Sequence, residues 1–184
     1  ITHLSTYELI IDENTPFAQN ENLQQDDLHF SKFWDLSDEI LSQKNMQRYE
    51  IANFAQENRH CRHNYEIWHG QTYLGCGPAA VSFDGITRYA NQQTMEKWLN
   101  STKKDKDIIS EKARACEIFA FGLRCKDGWE IEDFEKLSGY NIWQLREEEL
   151  KKLQKAKLIE ITQTTIKPTK QGLLYNNHIL EELI

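Results

Sequence analysis

The amino-acid sequence predicts a mixed fold of the α+β or α/β class, built from three successive parts. A largely apolar stretch over residues 3–11, closed by turn-forming residues, is typical of a buried strand. Short alternating segments rich in glycine follow between Tyr49 and Tyr89. From about Ile108 the apolar residues recur every three or four positions, as they do in helices. We therefore predict three parts, and their ranges are 1–48, 49–107 and 108–184.

The first part predicts one strand and one helix. Asp12, Asn14 and Pro16 are turn-forming residues, and they place a loop at the carboxyl end of the strand. In barrels and doubly wound sheets, ligands bind at that end. Ser31 is the predicted N-cap of the following helix. The apolar stripe of this helix consists of Phe30, Phe33, Trp34, Ile40 and Leu41.

The middle part predicts short strands whose glycines permit close approaches of the main chain. Gly75 and Gly77 lack a Cβ, so the backbone at these positions can lie against a ligand or a neighbouring strand. A β-bulge explains the same spacing. The sequence alone leaves both interpretations open.

The last part predicts three helices followed by a two-stranded hairpin. Gly139 is placed to end the second helix, the hairpin strands lie at 158–162 and 165–167, and a last helix follows Pro168. This order is that of a winged-helix-like domain, a fold best known from DNA binding. The third helix, however, carries an acidic triplet at 147–149, which would repel phosphate. A packing role is therefore favoured over a DNA-binding role.

The charge distribution argues against a nucleic-acid partner. The 184 residues contain 22 Lys and Arg against 29 Asp and Glu, a net charge of −7. The first fifty residues hold 3 basic and 10 acidic groups, and the remainder holds 19 of each. Phosphate binding needs a basic surface, and neither part has a basic excess.

The sequence also predicts the setting of the protein. No window approaches the ~18 apolar residues of a membrane span, and no signal peptide is recognisable. Four cysteines, at 61, 76, 116 and 125, have no spacing typical of zinc or iron–sulfur motifs. We expect a soluble, cytoplasmic protein with no membrane span and reduced thiols. Because the chain begins at Ile1, we also expect it to be part of something longer.

Residue types suited to ligand binding are concentrated between positions 59 and 70. This segment contains three of the six histidines, one thiol and two aromatic side chains. Imidazole suits zinc, copper or haem iron, and adjacent aromatic rings suit a flat ligand. The alternative is structural: His63 and Asn64 bond the backbone at a helix start, while Tyr65 and Trp68 fill the core. Residue types alone favour this alternative without deciding the question.

Several separated segments, in the same order, resemble one known family. They are residues 4–9, 15–17, 49–55, 61–64 with Trp68, 73–78, 88–89, 121–124, the stretch near Leu158, and 172–174. Together they resemble the C-terminal part of the oxygen-independent coproporphyrinogen III oxidase family of radical S-adenosylmethionine proteins. The similarity is greatest to the haem-chaperone-like branch. It covers nearly the whole chain and implies the closing strand and helix of a radical S-adenosylmethionine (β/α) barrel, followed by a small C-terminal domain.

The resemblance implies a haem site. The chaperone branch has a haem-binding motif, H-N-x-x-Y-W, which His63, Asn64 and Trp68 match, with Ile67 in place of Tyr. By this resemblance His63 is the axial ligand of the haem iron and the one metal ligand expected in the chain. Asn64 would orient the loop, and Trp68 would stack on the haem.

The resemblance also implies radical chemistry in a parent about twice as long. The family's cluster-binding cysteines lie N-terminal of anything present here, so the [4Fe-4S] cluster and S-adenosylmethionine cleavage belong to that parent. This portion would contain no catalytic residue and would be inactive alone. The backbone near Ile10 and Val81 would lie beside S-adenosylmethionine. The branch commonly has His where Val81 stands.

Three functions compete at this point. The first is a haem-binding chaperone with haem or a porphyrin as ligand and a haem-accepting protein as partner. The second is a true coproporphyrinogen III dehydrogenase, which decarboxylates two propionates. Arg59, Arg62 and Arg88 are the candidates to bind those propionates, since a guanidinium fork suits a carboxylate. The third is a winged-helix interaction module, which would require salt-sensitive DNA binding.

Overall fold

The chain divides into two compact units, each described separately. A computed structural model describes residues 1–7, 9, 11, 13, 15–19 and 27–184. The first unit spans Ile1–His60, and the second spans Cys61–Ile184. The mixed α and β content predicted from the sequence is confirmed. The three-part division at 48 and 107 stays a prediction.

The first unit combines a three-stranded sheet with a long helix. Its elements are β1 (His3–Ser5), a 3-10 turn (Pro16–Gln19), α1 (Asp27–Ser42), β2 (Gln47–Arg48) and β3 (Asn53–Ala55). The strand order is β1-β3-β2, and both pairings are antiparallel. His3 pairs with Ala55, and Arg48 pairs with Phe54. A strand at the start of the chain is thus present, but the prediction of a buried strand over residues 3–11 is wrong: β1 ends at Ser5, and Tyr7 and Leu9 beyond it are 74% and 55% exposed. Its role as the closing strand of a barrel stays a prediction.

Helix α1 begins earlier than the sequence predicts. Ser31 lies inside the helix, so its prediction as the N-cap is wrong. The predicted apolar stripe is also split: Trp34 and Leu41 are buried, whereas Phe33 and Ile40 are 66% and 49% exposed. Residues seven apart lie almost above one another on a helix, so 33 and 40 share one face and 34 and 41 share the next. Sequence periodicity did not distinguish the two faces.

A buried arginine, Arg48, organises the core of the first unit. Its guanidinium lies 3.5 Å from the ring centroid of Trp34 and 4.2 Å from that of Phe54. It donates hydrogen bonds of 2.8 Å to Asp38 Oδ1 and to Ser37 Oγ. Burial lowers the pKa of Arg48, and the bond to Asp38 opposes that effect. The buried charge is therefore paired rather than isolated.

The second unit starts with a short helix and a second small sheet. Its first elements are α2 (Arg62–Trp68), β4 (Val81–Phe83), β5 (Arg88–Ala90), α3 (Met95–Asn100) and β6 (Asp105–Asp107). The order is β4-β5-β6, with antiparallel pairings. A Cβ on Gly75 would lie 2.2 Å from Val81 O, so the close approach at Gly75 is between two stretches of main chain. Gly77 instead has a positive φ of 100° and open space around it.

The turn between β4 and β5 is built on Asp84, which allows a test by acid titration. Its carboxylate accepts bonds from the Thr87 N–H at 2.7 Å, the Tyr89 hydroxyl at 2.5 Å and the Ile86 N–H at 2.9 Å. These bonds, that from Thr87 first, lower the pKa of Asp84 to about 2 from 3.8. A depressed carboxyl pKa stabilises the fold above the unfolded value, and this contribution is lost as pH falls from about 4 through about 2.

We expect a carbon-detected NMR titration to show the Asp84 carboxyl changing near pH 2. An Asp84→Asn variant should lose, at neutral pH, the stabilisation that the lowered pKa of Asp84 provides. Its free energy of unfolding should also depend less on pH between about 4 and about 2. A midpoint near 3.8 would mean that the three hydrogen bonds do not persist in solution.

The rest of the second unit is helical with a third small sheet. Its elements are α4 (Glu111–Gly122), β7 (Trp129–Glu130), α5 (Ile131–Ser138), α6 (Ile142–Lys155), β8 (Ile159–Ile161), β9 (Thr165–Pro168), α7 (Lys170–Leu174) and α8 (Asn176–Leu183). The sheet order is β7-β9-β8. The predicted helices and hairpin are present, and Gly139 ends α5 in the left-handed conformation. The prediction of a single last helix is wrong, because the chain leaves helical geometry at Tyr175 and forms α7 and α8 instead. The winged-helix assignment stays a prediction.

Candidate functional site

A cavity of about 320 Å³ lies in the second unit beside α2, the β4–β5 hairpin and α4. Its apolar and aromatic lining consists of Ile67, Trp68, Tyr73, Phe83, Ile118 and Phe121. Its charged lining consists of Arg88, Arg114, Glu117 and Arg124. Mostly apolar walls with a few converging polar groups are typical of small-molecule sites, which measure about 300–1,000 Å³. This cavity is at the small end of that range.

Helix α2 places the two ends of the predicted haem motif on different faces. Positions five apart on a helix point about 140° away from each other. Trp68 is half-buried and lines the cavity, whereas His63 is exposed and does not line it. Asn64 is half-buried. Within the described part of the chain, neither His63 nor Asn64 forms a side-chain hydrogen bond, so the predicted backbone bonds at the helix start are not made.

Tyr65 and His69 instead secure α2 to the rest of the unit. Their rings stack with centroids 4.2 Å apart, and His69 meets the edge of Trp129 at 4.7 Å. The His69 ring nitrogens lie 2.9 Å from the carbonyl oxygen of Tyr65 and 3.0 Å from that of Gly128. Burial raises the pKa of Tyr65 to about 12. The structural interpretation therefore fits Tyr65, while Trp68 is left facing the cavity.

Four charged residues form an ion-pair network along one wall of the cavity. Arg88 Nη2 lies 2.8 Å from Glu117 Oε2, and Arg114 Nη2 lies 2.8 Å from Asp107 Oδ2. Arg114 also pairs with Glu117, and Arg88 with Asp107. The hydrogen bond from Arg114 lowers the pKa of the Asp107 carboxyl. Two guanidinium groups thus face two carboxylates, and the network is close to neutral.

The other predicted residues lie apart from the cavity. Arg59 and Arg62 are exposed, and Arg62 makes a surface ion pair with Glu66 at 3.6 Å. Val81 is exposed at the start of β4. Ile10 falls outside the described residues. Of the sequence-predicted site residues, then, the cavity brings together Trp68 and Arg88.

One cavity residue that the sequence analysis did not select is Arg124. It follows the last turn of α4, and its Cζ lies 5.4 Å from the Trp68 ring centroid. Its Nε is buried and has no hydrogen-bond acceptor among the residues that the structure describes. The sequence signal for Arg124 is its place directly after the apolar row that ends at Leu123. A cation is favourable at such a helix C-terminus. Sequence periodicity gave no sign that this position borders a cavity.

The described residues form neither a metal cluster nor a helix able to span a membrane. Among them, no group of three or more His, Cys, Asp or Glu side chains is arranged to hold a metal ion. In the same residues, no helix has both the length and the apolar character needed to cross a bilayer. Cys116 is buried, and burial raises the pKa of its thiol. A haem needs fewer protein ligands than a metal cluster, and an exposed imidazole that makes no other bond fits that need.

The sequence matches one family model and several curated proteins. The model, described as the HemN C-terminal domain, matches residues 109–175. The heme chaperone HemW of Lactococcus lactis is 25% identical over 193 residues, which cover 100% of this chain and 51% of that protein. The heme chaperone HemW of Synechocystis is 32% identical over 140 residues, which cover 68% of this chain and 34% of that protein. The chain thus spans about half the length, or less, of these relatives.

A solved structure shares the fold. The coproporphyrinogen III oxidase HemN from Escherichia coli, described as a radical SAM enzyme, aligns with a TM-score of 0.76 at 16% sequence identity. The alignment covers 99% of this chain and 48% of the solved one. At this identity the likeness concerns the fold alone.

Proposed function

We propose that this chain, which is a C-terminal portion of a protein of the HemN/HemW family, binds haem on helix α2 as part of a haem chaperone. The observation that carries the proposal is the exposed His63 imidazole, which has no hydrogen bond or ion pair within the described residues. Five positions further along the same motif, Trp68 borders an aromatic cavity. The curated relatives named heme chaperone HemW support this choice of function.

Three residues of α2 would make different contacts with haem. His63 would hold the haem iron through an imidazole nitrogen. Trp68, which faces the cavity about 140° around the helix from His63, would contact the edge of the haem that reaches the cavity, and Asn64 would orient the start of α2. An exposed axial ligand suits a carrier, because the haem must leave for another protein. The stacked rings of Tyr65 and His69 anchor α2. They would therefore keep the His63 imidazole in place while haem passes to another protein.

Radical chemistry would belong to the full-length protein. The [4Fe-4S] cluster and S-adenosylmethionine would be bound outside this chain, which would then be inactive in radical chemistry by itself. Val81, at the start of β4, would lie near S-adenosylmethionine in that larger protein. We further propose a cytoplasmic location and a haem-accepting protein as partner, with nucleic acid playing no part.

A second candidate is a coproporphyrinogen III dehydrogenase. The presence of Arg88 in an aromatic cavity favours it, because an arginine there can bind a propionate. Against it, Arg88 already pairs with Glu117. Anaerobic, reducing assays of the full-length protein distinguish the two functions: decarboxylated product supports the dehydrogenase, and haem binding without product supports the chaperone.

The haem proposal is tested by titrating haem into the full-length protein. We expect a saturable shift of the Soret band in the wild type, and a loss of that shift in His63→Ala, because the axial nitrogen is removed. His178→Ala is the matched control, since it removes another exposed imidazole, on α8, and should bind as the wild type does. A Soret titration that is unchanged in His63→Ala contradicts the proposal.

A further inference from the structure

We propose that Arg124 binds a carboxylate of the flat ligand that enters the cavity beside Trp68; the identification of that ligand as haem, whose carboxylates are propionates, rests on the proposed function. Neither the haem motif nor the propionate candidates Arg59, Arg62 and Arg88 include this residue.

The first observation is the charge balance of the cavity wall. Arg88 and Arg114 are neutralised by Glu117 and Asp107, with ion-pair distances down to 2.8 Å. Arg124, by contrast, has no carboxylate within ion-pair distance in the described parts of the chain. A half-buried guanidinium is stabilised by an anion, and a bidentate carboxylate is the anion that its geometry suits best. The cavity therefore carries one cation that an entering ligand can neutralise.

The second observation is the state of the guanidinium itself. Arg124 Nε is shielded from solvent and lacks an acceptor within the described residues, although buried polar groups in folded proteins nearly always have one. The guanidinium also lies 5.4 Å from the Trp68 centroid, in the range of a cation–π contact. The indole thereby limits the positions that the arginine can adopt. A carboxylate that entered here would find its partner already positioned.

The third observation concerns the rest of the ligand. Tyr73, Phe83 and Phe121 line the same cavity as Trp68, so four aromatic rings surround the space next to Arg124. At about 320 Å³ the cavity fits a two-ring aromatic acid or one edge of a larger flat molecule. A ligand with an aromatic body and a carboxylate at its edge would pack against the aromatic walls and pair with the Arg124 guanidinium.

A purely structural role for Arg124 makes a different prediction. A cation after the last turn of a helix interacts favourably with the helix dipole, and the contact with Trp68 adds to that effect. Under this alternative, an Arg124 variant loses stability but binds carboxylates and their neutral analogues as the wild type does. Comparing a ligand with its own uncharged derivative separates the two roles.

The experiment titrates haem and haem dimethyl ester into the full-length protein. We expect the wild type to bind haem roughly tenfold to a hundredfold more tightly than the ester, and Arg124→Gln to bind both equally. Arg124→Lys should recover part of the difference, and the control Lys126→Gln, which removes a charge from the same turn, should change nothing. Circular dichroism checks that each variant is folded.

A second pair of ligands, which contain no iron, tests the carboxylate site separately. Binding of 2-naphthoate is compared with binding of its neutral carboxamide, in wild type and in Arg124→Gln. A preference for the acid that disappears in Arg124→Gln supports the site even if haem does not bind, an outcome that would overturn the proposed function alone. Equal binding of haem and its ester in the wild type, or a preference that Arg124→Gln retains, overturns the role of Arg124 while leaving the proposal for His63 intact. If haem and 2-naphthoate both fail to bind, both proposals are overturned.

Discussion

Replacing Phe134 with alanine lowers the free energy of unfolding of the second unit by about 3–5 kcal/mol, the usual cost of deleting a buried phenylalanine. Phe134 is fully buried, and its ring meets Phe119 at 5.0 Å and Trp129 at 5.5 Å in edge-to-face geometry. Its removal leaves a hole among aromatic rings that can relax only partly. Urea denaturation followed by far-ultraviolet circular dichroism measures the loss.

Leu137→Ala provides the matched control for this variant. Leu137 lies on α5, as Phe134 does, but it is 42% exposed, so its loss should cost about 1 kcal/mol or less. Equal destabilisation by the two variants would contradict our placement of the core.

We expect the replacement of Arg48 with alanine to destabilise the first unit by about 3 kcal/mol. The change removes the ion pair between Arg48 and Asp38 and the guanidinium that lies against the Trp34 and Phe54 rings. Since Asp38 is partly exposed, water compensates some of this cost, and we place the effect at the low end of the range for buried pairs.

Two comparisons separate charge from packing at this position. Arg48→Met keeps most of the apolar stem and should recover part of the loss, because long side chains stabilise through their methylenes as well as their charge. Lys44→Ala, which removes an exposed cation shortly before β2, should have little effect. If Arg48→Ala unfolds at the same urea concentration as Lys44→Ala, the guanidinium does not organise this core.

Local signals in the sequence predicted much of the fold of the second unit. Gly139 ends α5 because glycine accepts the left-handed conformation there, and the 158–167 hairpin follows from two apolar stretches around a polar turn. The start of α1 was missed because Ser31 has the chemistry of an N-cap but lies within the helix. The break at Tyr175 carries no glycine or proline and is invisible to such rules.

The candidate site was predictable only where its residues are close in sequence. His63, Asn64 and Trp68 form one short motif, so residue type and resemblance found them together. The ion-pair network joins Arg88, Asp107, Arg114 and Glu117 from three elements, with partners up to 29 positions apart, and no periodicity reports such a contact. Arg124 was missed for the same reason, because its contact with the Trp68 ring depends on which helix packs beside it.

The central claim is that haem is held by the α2 imidazole, and locating the iron tests it most directly. In crystals of the full-length protein prepared with haem, anomalous scattering at the iron edge marks the metal independently of the rest of the density. We predict an iron peak at bonding distance from a ring nitrogen of His63, with the porphyrin reaching toward Trp68. A haem iron coordinated by any other residue, with His63 left in solvent, would contradict this account.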